Sequence, residues 1–307
     1  MIWPNRVVFL ETVYGGVETG GTWCVCATAR GDGGLERTAK FRTATPRETV
    51  GAIAAFFAQG PSPVCVGVGS FGPLDLAAQR ITTTPKAGWR GVPLGAELRT
   101  ALGVPVVVDH DVVAAALAEQ TWGAARGLDG IAYVTVGTGI GAGLILNGAP
   151  WHGLTHPEIG HIRIPHDRQR DPFDGVCEAH GDCLEGLASG PSVKARWGQD
   201  PASLPEDHPA WELEAHYLAL GLMALVGAVS PRMIVLGGGV MEQAGLISRV
   251  RGRLRALCAG YWATPLLEDQ LDSFIVAPLL GDEAGVTGAV ELARRYMARG
   301  AAGMQPG

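Results

Sequence analysis

The chain contains no apolar run of about eighteen residues, the length that marks a transmembrane candidate. Its longest candidate, 218–229, stops at Ser230-Pro231-Arg232 and reads as a buried helix. The opening MIWPNRVVFLETVY has only a short apolar run and no small-residue cleavage site, so no secretory leader is expected. A basic surplus is also missing. The net charge is −6, which disfavours nucleic acid and anionic membranes as partners. Cysteine is sparse, with six in 307 residues, too few for a disulfide framework, and a reducing cytoplasm fits best. Cys24, Cys26, Cys65 and Cys258 sit in apolar, strand- or helix-like contexts and read as buried free thiols. What is present, 47% hydrophobic and 18% charged residues, describes a soluble globular protein with a sizeable core. Its length suggests about two domains.

The remaining two cysteines lie in the stretch 155–189. His161, Cys177, His180 and Cys183 form His-x15-Cys-x2-His-x2-Cys. Two thiolates and two imidazoles make a full tetrahedral set for Zn²⁺, with no position left open, so the metal is expected to be structural. The charged, Pro- and Gly-containing stretch 165–175 has little apolar content to hold itself together, which favours a metal clip over two buried thiols and two surface histidines. Glu158 and Glu185 flank this set and suggest a site for a polar ligand.

Strands and helices alternate along the chain, which predicts an α/β fold. Residues 13–18 and 23–28 read as strands around the turn Thr19-Gly20-Gly21-Thr22, and 37–43 as a third strand. Helices are expected over 46–58, 91–102 and 112–123, with Asp111 at or near the N-cap of the last. Apolar β-branched runs at 63–70 and 104–109 read as buried parallel strands. The opening theme then repeats: strand 131–136, turn Gly137-Thr138-Gly139-Ile140-Gly141, returning strand 142–146. This predicts duplication. Helices at 192–197 and 211–229, a short strand 233–236 and a final helix 282–297 follow.

Tight Thr/Gly turns let backbone N–H groups approach a phosphate without an intruding Cβ. Both turns are candidates. The second is followed by a strand rather than a helix, which argues against a dinucleotide fingerprint. Gly237-Gly238-Gly239, after a short strand, suits a flat contact with adenine or ribose, or a close strand-to-helix turn. Asp111 stands at the C-terminal end of an apolar strand, where α/β folds place ligands. A carboxylate there can cap a helix and also act as a general base.

These pieces together resemble the ROK sugar kinases, and most closely their fructokinase branch. The resemblance rests on Gly15-Gly16-Val17-Glu18-Thr19-Gly20-Gly21-Thr22, Gly69-Ser70-Phe71-Gly72-Pro73-Leu74-Asp75, Thr84-Pro85-Lys86-Ala87-Gly88-Trp89, Asp109-His110-Asp111-Val112, Thr135-Val136-Gly137-Thr138-Gly139-Ile140-Gly141, His156-Pro157-Glu158-Ile159-Gly160-His161 and the run from Gly175 to Pro191. It covers about residues 14–298. It implies an actin-like (ribonuclease H-like) ATPase fold of two similar domains with an active-site cleft between them. The expected boundaries are an extension over 1–12, a first domain over 13–112, a second over 113–283 carrying the zinc loop 155–189, and a helix 284–298 packing back on the first.

The resemblance further implies that Glu18–Thr22 and Gly137–Gly141 are phosphate loops and that Asp111 is the catalytic base. Gly72, Pro73, Asp75, His110, Glu158, His161 and Glu185 would contact or support a sugar. His161, Cys177, His180 and Cys183 would hold zinc, and ATP, Mg²⁺ and a homodimer are implied. The expected reaction is phosphorylation of a hexose, fructose foremost. Glucokinase, mannokinase or broad hexokinase activity stays open, as does a non-catalytic sugar sensor. Three departures from the family pattern stand out: Trp23 where a lysine is usual, His110 where asparagine or threonine is usual, and Val113 where asparagine is usual. Only about a dozen residues precede Val13, too few for the helix-turn-helix of the family's repressors, so DNA binding is not expected.

Overall fold

The computed structural model describes residues 11–31 and 33–302; the expected extension over 1–12 lies outside the described residues except at Glu11 and Thr12. In chain order the elements begin with β1 (Tyr14–Thr19), β2 (Trp23–Ala29), β3 (Leu35–Arg42), α1 (Pro46–Ala58), β4 (Val66–Ser70), β5 (Leu74–Asp75) and β6 (Arg80–Ile81). Next come α2 (Leu94–Leu102), β7 (Val106–His110), α3 (Asp111–Thr121), β8 (Ile131–Val136), β9 (Ile140–Leu146) and β10 (Ala149–Pro150). Then follow α4 (Leu184–Ala188), α5 (Gly190–Trp197), α6 (Ala210–Val229), β11 (Met233–Gly237) and α7 (Leu246–Cys258). The chain closes with α8 (Pro265–Glu268), α9 (Leu271–Phe274), β12 (Ile275–Val276) and α10 (Ala284–Ala302).

The chain divides into two compact units. The first takes residues 1–122, 154–156 and 282–307; the second takes 123–153 and 157–281. The expected boundary at 112 is displaced to 122, because α3 packs on α10 and β4 and so stays with the first unit.

The first unit holds a sheet of order β3-β2-β1-β4-β7. β1 runs antiparallel to β2 and parallel to β4, which is parallel to β7. β4 is buried along its whole length, as a strand paired on both edges and covered on both faces must be. One face receives α10. The other packs against Ile53, Phe57, Leu94 and Leu98 of α1 and α2. β3, at the edge, alternates between half-buried and exposed residues and carries Arg37, Lys40 and Arg42 on its length, charges that discourage edge pairing. α1 starts as its sequence demands. Thr45 caps the Glu48 N–H, Glu48 reaches back to Thr45, and Pro46 fills the first turn.

The second unit repeats this order as β10-β9-β8-β11-β12. β8 is antiparallel to β9 and parallel to β11, and β11 is parallel to β12. Counting only the strands of each five-stranded sheet, the third, second, first, fourth and fifth lie side by side, so the duplication expected from the repeated strand–turn–strand theme is observed. The core is built on α6, whose Trp211, Leu218, Leu222 and Leu225 are buried with Leu144, Leu187 and Ile234. Among the described residues α6 is long and apolar enough to cross a membrane, yet half of its apolar window is buried inside the protein.

Two local expectations change. The 91–102 helix begins only at Leu94, with Pro93 as its N-cap. The Gly237–Gly239 segment enters a single 3-10 turn over Gly239–Glu242, and α7 starts after Gly245, whose φ is 74°.

Candidate functional site

In the first unit, β1 delivers Glu18 and Thr19 into the turn Gly20-Gly21-Thr22 before β2 returns. Gly20 donates to the Trp23 carbonyl (2.8 Å). Lys86 reaches across from the 84–89 segment and donates to the Gly21 carbonyl (2.6 Å) and the Thr43 carbonyl (3.2 Å). Thr19 is buried, and its Oγ1 has no hydrogen-bond partner among the described residues. Burial, then the charges of Asp111 and Asp282, push the Glu18 carboxyl up to about 7; Lys40 and the Val286 N–H oppose them. Carboxylates crowded in this way are a setting that a divalent cation relieves, and their oxygens are the hard donors Mg²⁺ takes.

Trp23 stands exposed at the head of β2. Its register partner is Arg42, whose guanidinium lies 4.3 Å from the ring centroid, with the Lys40 ammonium at 5.5 Å. Where the family pattern has a cation at position 23, this chain has an indole with two cations over it, both supplied by β3.

β7 ends at His110, and Asp111 opens α3. The N-cap is His110 rather than Asp111, as shown by its extended φ of −67° and ψ of 146°. The Asp111 Oδ1 accepts the N–H of Val112 (2.8 Å), and the buried Asp109 accepts that of His110 (2.8 Å). The His110 ring stacks on His156, centroids 3.8 Å apart and planes 17° apart. It also lies so close to Gly72 that a Cβ there would sit 2.8 Å from the His110 Cε1. Gly72-Pro73 is a cis peptide. Asp75 has turned into its own hairpin: it accepts the Ala78 N–H (3.0 Å) and faces Arg80 (3.5 Å).

In the second unit, the turn Gly137-Thr138-Gly139 joins β8 to β9. Glu185 of α4 accepts the Ile140 N–H through Oε2 (2.9 Å). A Cβ on Gly139 would lie 2.6 Å from that oxygen, and one on Gly160 would lie 2.1 Å from the Ile140 carbonyl. The Gly190 N–H donates to the Gly137 carbonyl (2.8 Å). Gly238, at φ 95°, packs against Val136 at the end of β8, so the Gly237–Gly239 segment lies beside this turn. Glu158 keeps an exposed surface. The protein mass around it still raises its carboxyl above the ordinary value; His161 opposes the shift and Glu185 adds to it.

The ligand atoms of His161, Cys177, His180 and Cys183 all fall within 4.8 Å of one another. The Cys177 Sγ is 3.6 Å from Nδ1 of His161 and 3.7 Å from Nδ1 of His180, and the Cys183 Sγ is 3.8 Å from Nδ1 of His161. The S···N edge of a tetrahedral zinc site, from Zn–S and Zn–N lengths of about 2.3 and 2.05 Å, is about 3.6 Å. The donor set therefore fits zinc in chemistry and in spacing.

Behind this cluster lies a polar network that the sequence reading missed. Asp182 pairs with Arg163, with Arg168 (2.8 Å) and with His166 (3.2 Å). The other ring nitrogen of His166 meets the Asp171 carbonyl (2.9 Å). Buried Asp171 takes the Tyr217 hydroxyl (2.7 Å) and Arg196 (3.1 Å). The density of charge over 163–174 was the signal available; the partners on α5 and α6 lie too far along the chain for spacing to reveal them.

Glycine turns at the heads of two equivalent strand pairs, with a carboxylate at the end of a buried parallel strand, define an α/β protein of the actin-like ATPase class. A model of the ROK family matches residues 14–296, and the chain belongs to that family. It is similar to a fructokinase of Zymomonas mobilis, 40% identical, covering 92% of this chain and 97% of that protein. Among solved structures it is similar to a ROK hexokinase from Thermus thermophilus (TM-score 0.78, 28% identity, 94% of this chain and 100% of that one). A ROK family glucokinase from Streptomyces griseus in complex with glucose and AMPPNP is also similar (TM-score 0.75, 28% identity, 92% and 99%).

Proposed function

We propose that the protein transfers the γ-phosphoryl group of ATP to the primary hydroxyl of a hexose, with fructose the preferred acceptor and fructose 6-phosphate the product. The observation that carries the reading is the 40% identity to a fructokinase along 92% of the chain. The lower identity, 28%, to a glucokinase seen with glucose and AMPPNP supports the same chemistry and a different preferred sugar.

Asp111 acts as the general base. As the sugar oxygen bonds to phosphorus, its proton passes to Asp111, the bond to the bridging β,γ-oxygen breaks, and ADP leaves. Backbone N–H groups of Gly20–Thr22 and Gly137–Gly139 hold the phosphates, so positioning and electrostatics carry most of the rate. Glu18, with Asp111 and Asp282 near it, would hold Mg²⁺, which supplies positive charge against the phosphate oxygens. Gly237–Gly239 lies under the nucleoside. Glu158 and Glu185 accept sugar hydroxyls, and His110 with the Gly72–Pro73 backbone lines their acceptor. Asp75 acts from one remove, through the hairpin that its carboxylate closes. His161, Cys177, His180 and Cys183 would hold a structural zinc that fixes the segment bearing Glu158 and Glu185. Family membership also leads to a homodimer, checked by light scattering on a sizing column, and to a reducing cytoplasm, which suits six free thiols.

A coupled ADP-release assay across fructose, glucose, mannose and N-acetylated hexoses tests this reading. The highest kcat/KM is expected for fructose. A preference for glucose overturns the substrate and keeps the mechanism. No ADP release with any sugar favours the sensor reading that Trp23 and Val113 keep open.

A further inference from the structure

A single carboxylate links the metal-binding segment to the second glycine turn. Cys183 caps α4, accepting the Gly186 N–H on its Sγ (3.4 Å). Two residues later, Glu185 takes the Ile140 N–H (2.9 Å), and its Oε2 fills the space that a Cβ on Gly139 would need. The junction of α4 and α5 grips the same turn. The Ser189 N–H bonds to the Glu185 carbonyl (3.1 Å), and the Gly190 N–H bonds to the Gly137 carbonyl (2.8 Å). Ser192 locks the helix by donating to the carbonyls of Glu185 and Gly186, both at 2.9 Å. A five-residue helix is thus fixed at one end to a cysteine of the cluster, and Glu185 within it and Gly190, the first residue of α5, hold the glycine turn at two points.

We infer that Glu185 is a positioning residue as well as a sugar ligand: through its bond to Ile140 N–H it sets the shape of the phosphate turn and couples sugar affinity to nucleotide affinity. This rests on the kinase reading above. A carboxylate has about four acceptor sites, so the one that holds Ile140 leaves capacity for a sugar hydroxyl. A sugar that draws the carboxylate into place also tightens the turn, and by linkage the turn's occupant must favour the sugar equally.

Calorimetric titration separates this coupling from a purely sugar-side role. ADP is titrated with and without saturating fructose, and fructose with and without ADP, into wild type, Glu185→Ala, Glu185→Gln and Gly139→Ala; wild type should bind each ligand more tightly in the presence of the other, by the same factor. Loss of a charged hydrogen bond predicts about tenfold weaker ADP binding for Glu185→Ala. Glutamine still offers an oxygen to Ile140 N–H, so Glu185→Gln should hold ADP within about threefold of wild type while fructose affinity falls about tenfold. Gly139→Ala pushes the carboxylate from the nucleotide side, and fructose binding should weaken about tenfold. Unchanged ADP affinity in Glu185→Ala, unchanged fructose affinity in Gly139→Ala, or equal losses of both in Glu185→Gln would each overturn the coupling. Should Glu185→Ala not fold, the other two variants decide. Wild-type protein that binds neither ligand instead sinks the kinase reading itself.

Discussion

Asp111 opens a helix whose capping bond it does not make, and its Oδ1 is spent on the next residue's N–H. Replacing it with asparagine keeps that oxygen acceptor and removes the basicity. Asp111→Asn should fold as wild type by circular dichroism and lose about 10²–10⁴-fold in kcat. Near-full activity would mean that the base is another residue. Glu214, in the first turns of α6, poses the opposite case. It is fully buried, both carboxyl oxygens lack partners among the described residues, and desolvation holds its pKa well above 4.5, with Arg196 opposing. The folded protein keeps this proton to higher pH than the unfolded chain does. The stabilising contribution is therefore complete below about pH 4.5 and is lost as pH rises toward the folded pKa. Glu214→Gln removes that titration. Between pH 5 and pH 8 the Tm of wild type should fall relative to that of the variant; parallel Tm curves would refute the assignment.

At the scale of elements, the segment 155–189 has little regular structure, and its charge network and Cys/His cluster stand in for a core. Protein purified without added metal should contain about one zinc per chain. Chelation should lower thermal stability and release the segment to proteolysis. A metal-free preparation of equal stability would show that the Asp171 and Asp182 networks suffice alone. On α1, loss of the capping box in Thr45→Ala should cost about 1 kcal/mol in urea unfolding, with kinase activity unchanged. The cluster of His161, Cys177, His180 and Cys183 was legible in the sequence because three of the four sit within seven residues and cysteines are few. The bond from Glu185 to Ile140 was not legible, since forty-five residues separate the partners and no periodicity connects them. The stack of His110 on His156 escaped for the same reason. Asp111, expected at or near the N-cap, proves to be the first helical residue, one place past His110; a capping side chain and a first-turn acid look alike in sequence.

For the whole molecule, the repeated strand–turn–strand theme carried most of the fold. Apolar β-branched runs and glycine turns are local signals, and each sheet is assembled from them in the same order. Which unit claims α3 was not local, because it depends on a helix that arrives more than 160 residues later in the chain. Ligand occupancy should register in the whole fold. ADP at about 100 times its Kd should raise stability by about 2.7 kcal/mol, read as a higher Tm, whereas a nucleotide the protein does not bind leaves Tm unchanged.

The division of the chain also sets an order of assembly during synthesis. The second unit needs nothing beyond residue 281, whereas the first needs 282–302 to lay α10 along β1 and β4. On a ribosome the unit that begins first would therefore finish last. Its central strands would stay uncovered on one face until the final helix leaves the exit tunnel, the reverse of the usual N-terminal-first course. A chain ending at residue 281 should keep a protease-resistant core from the second unit while the first is digested.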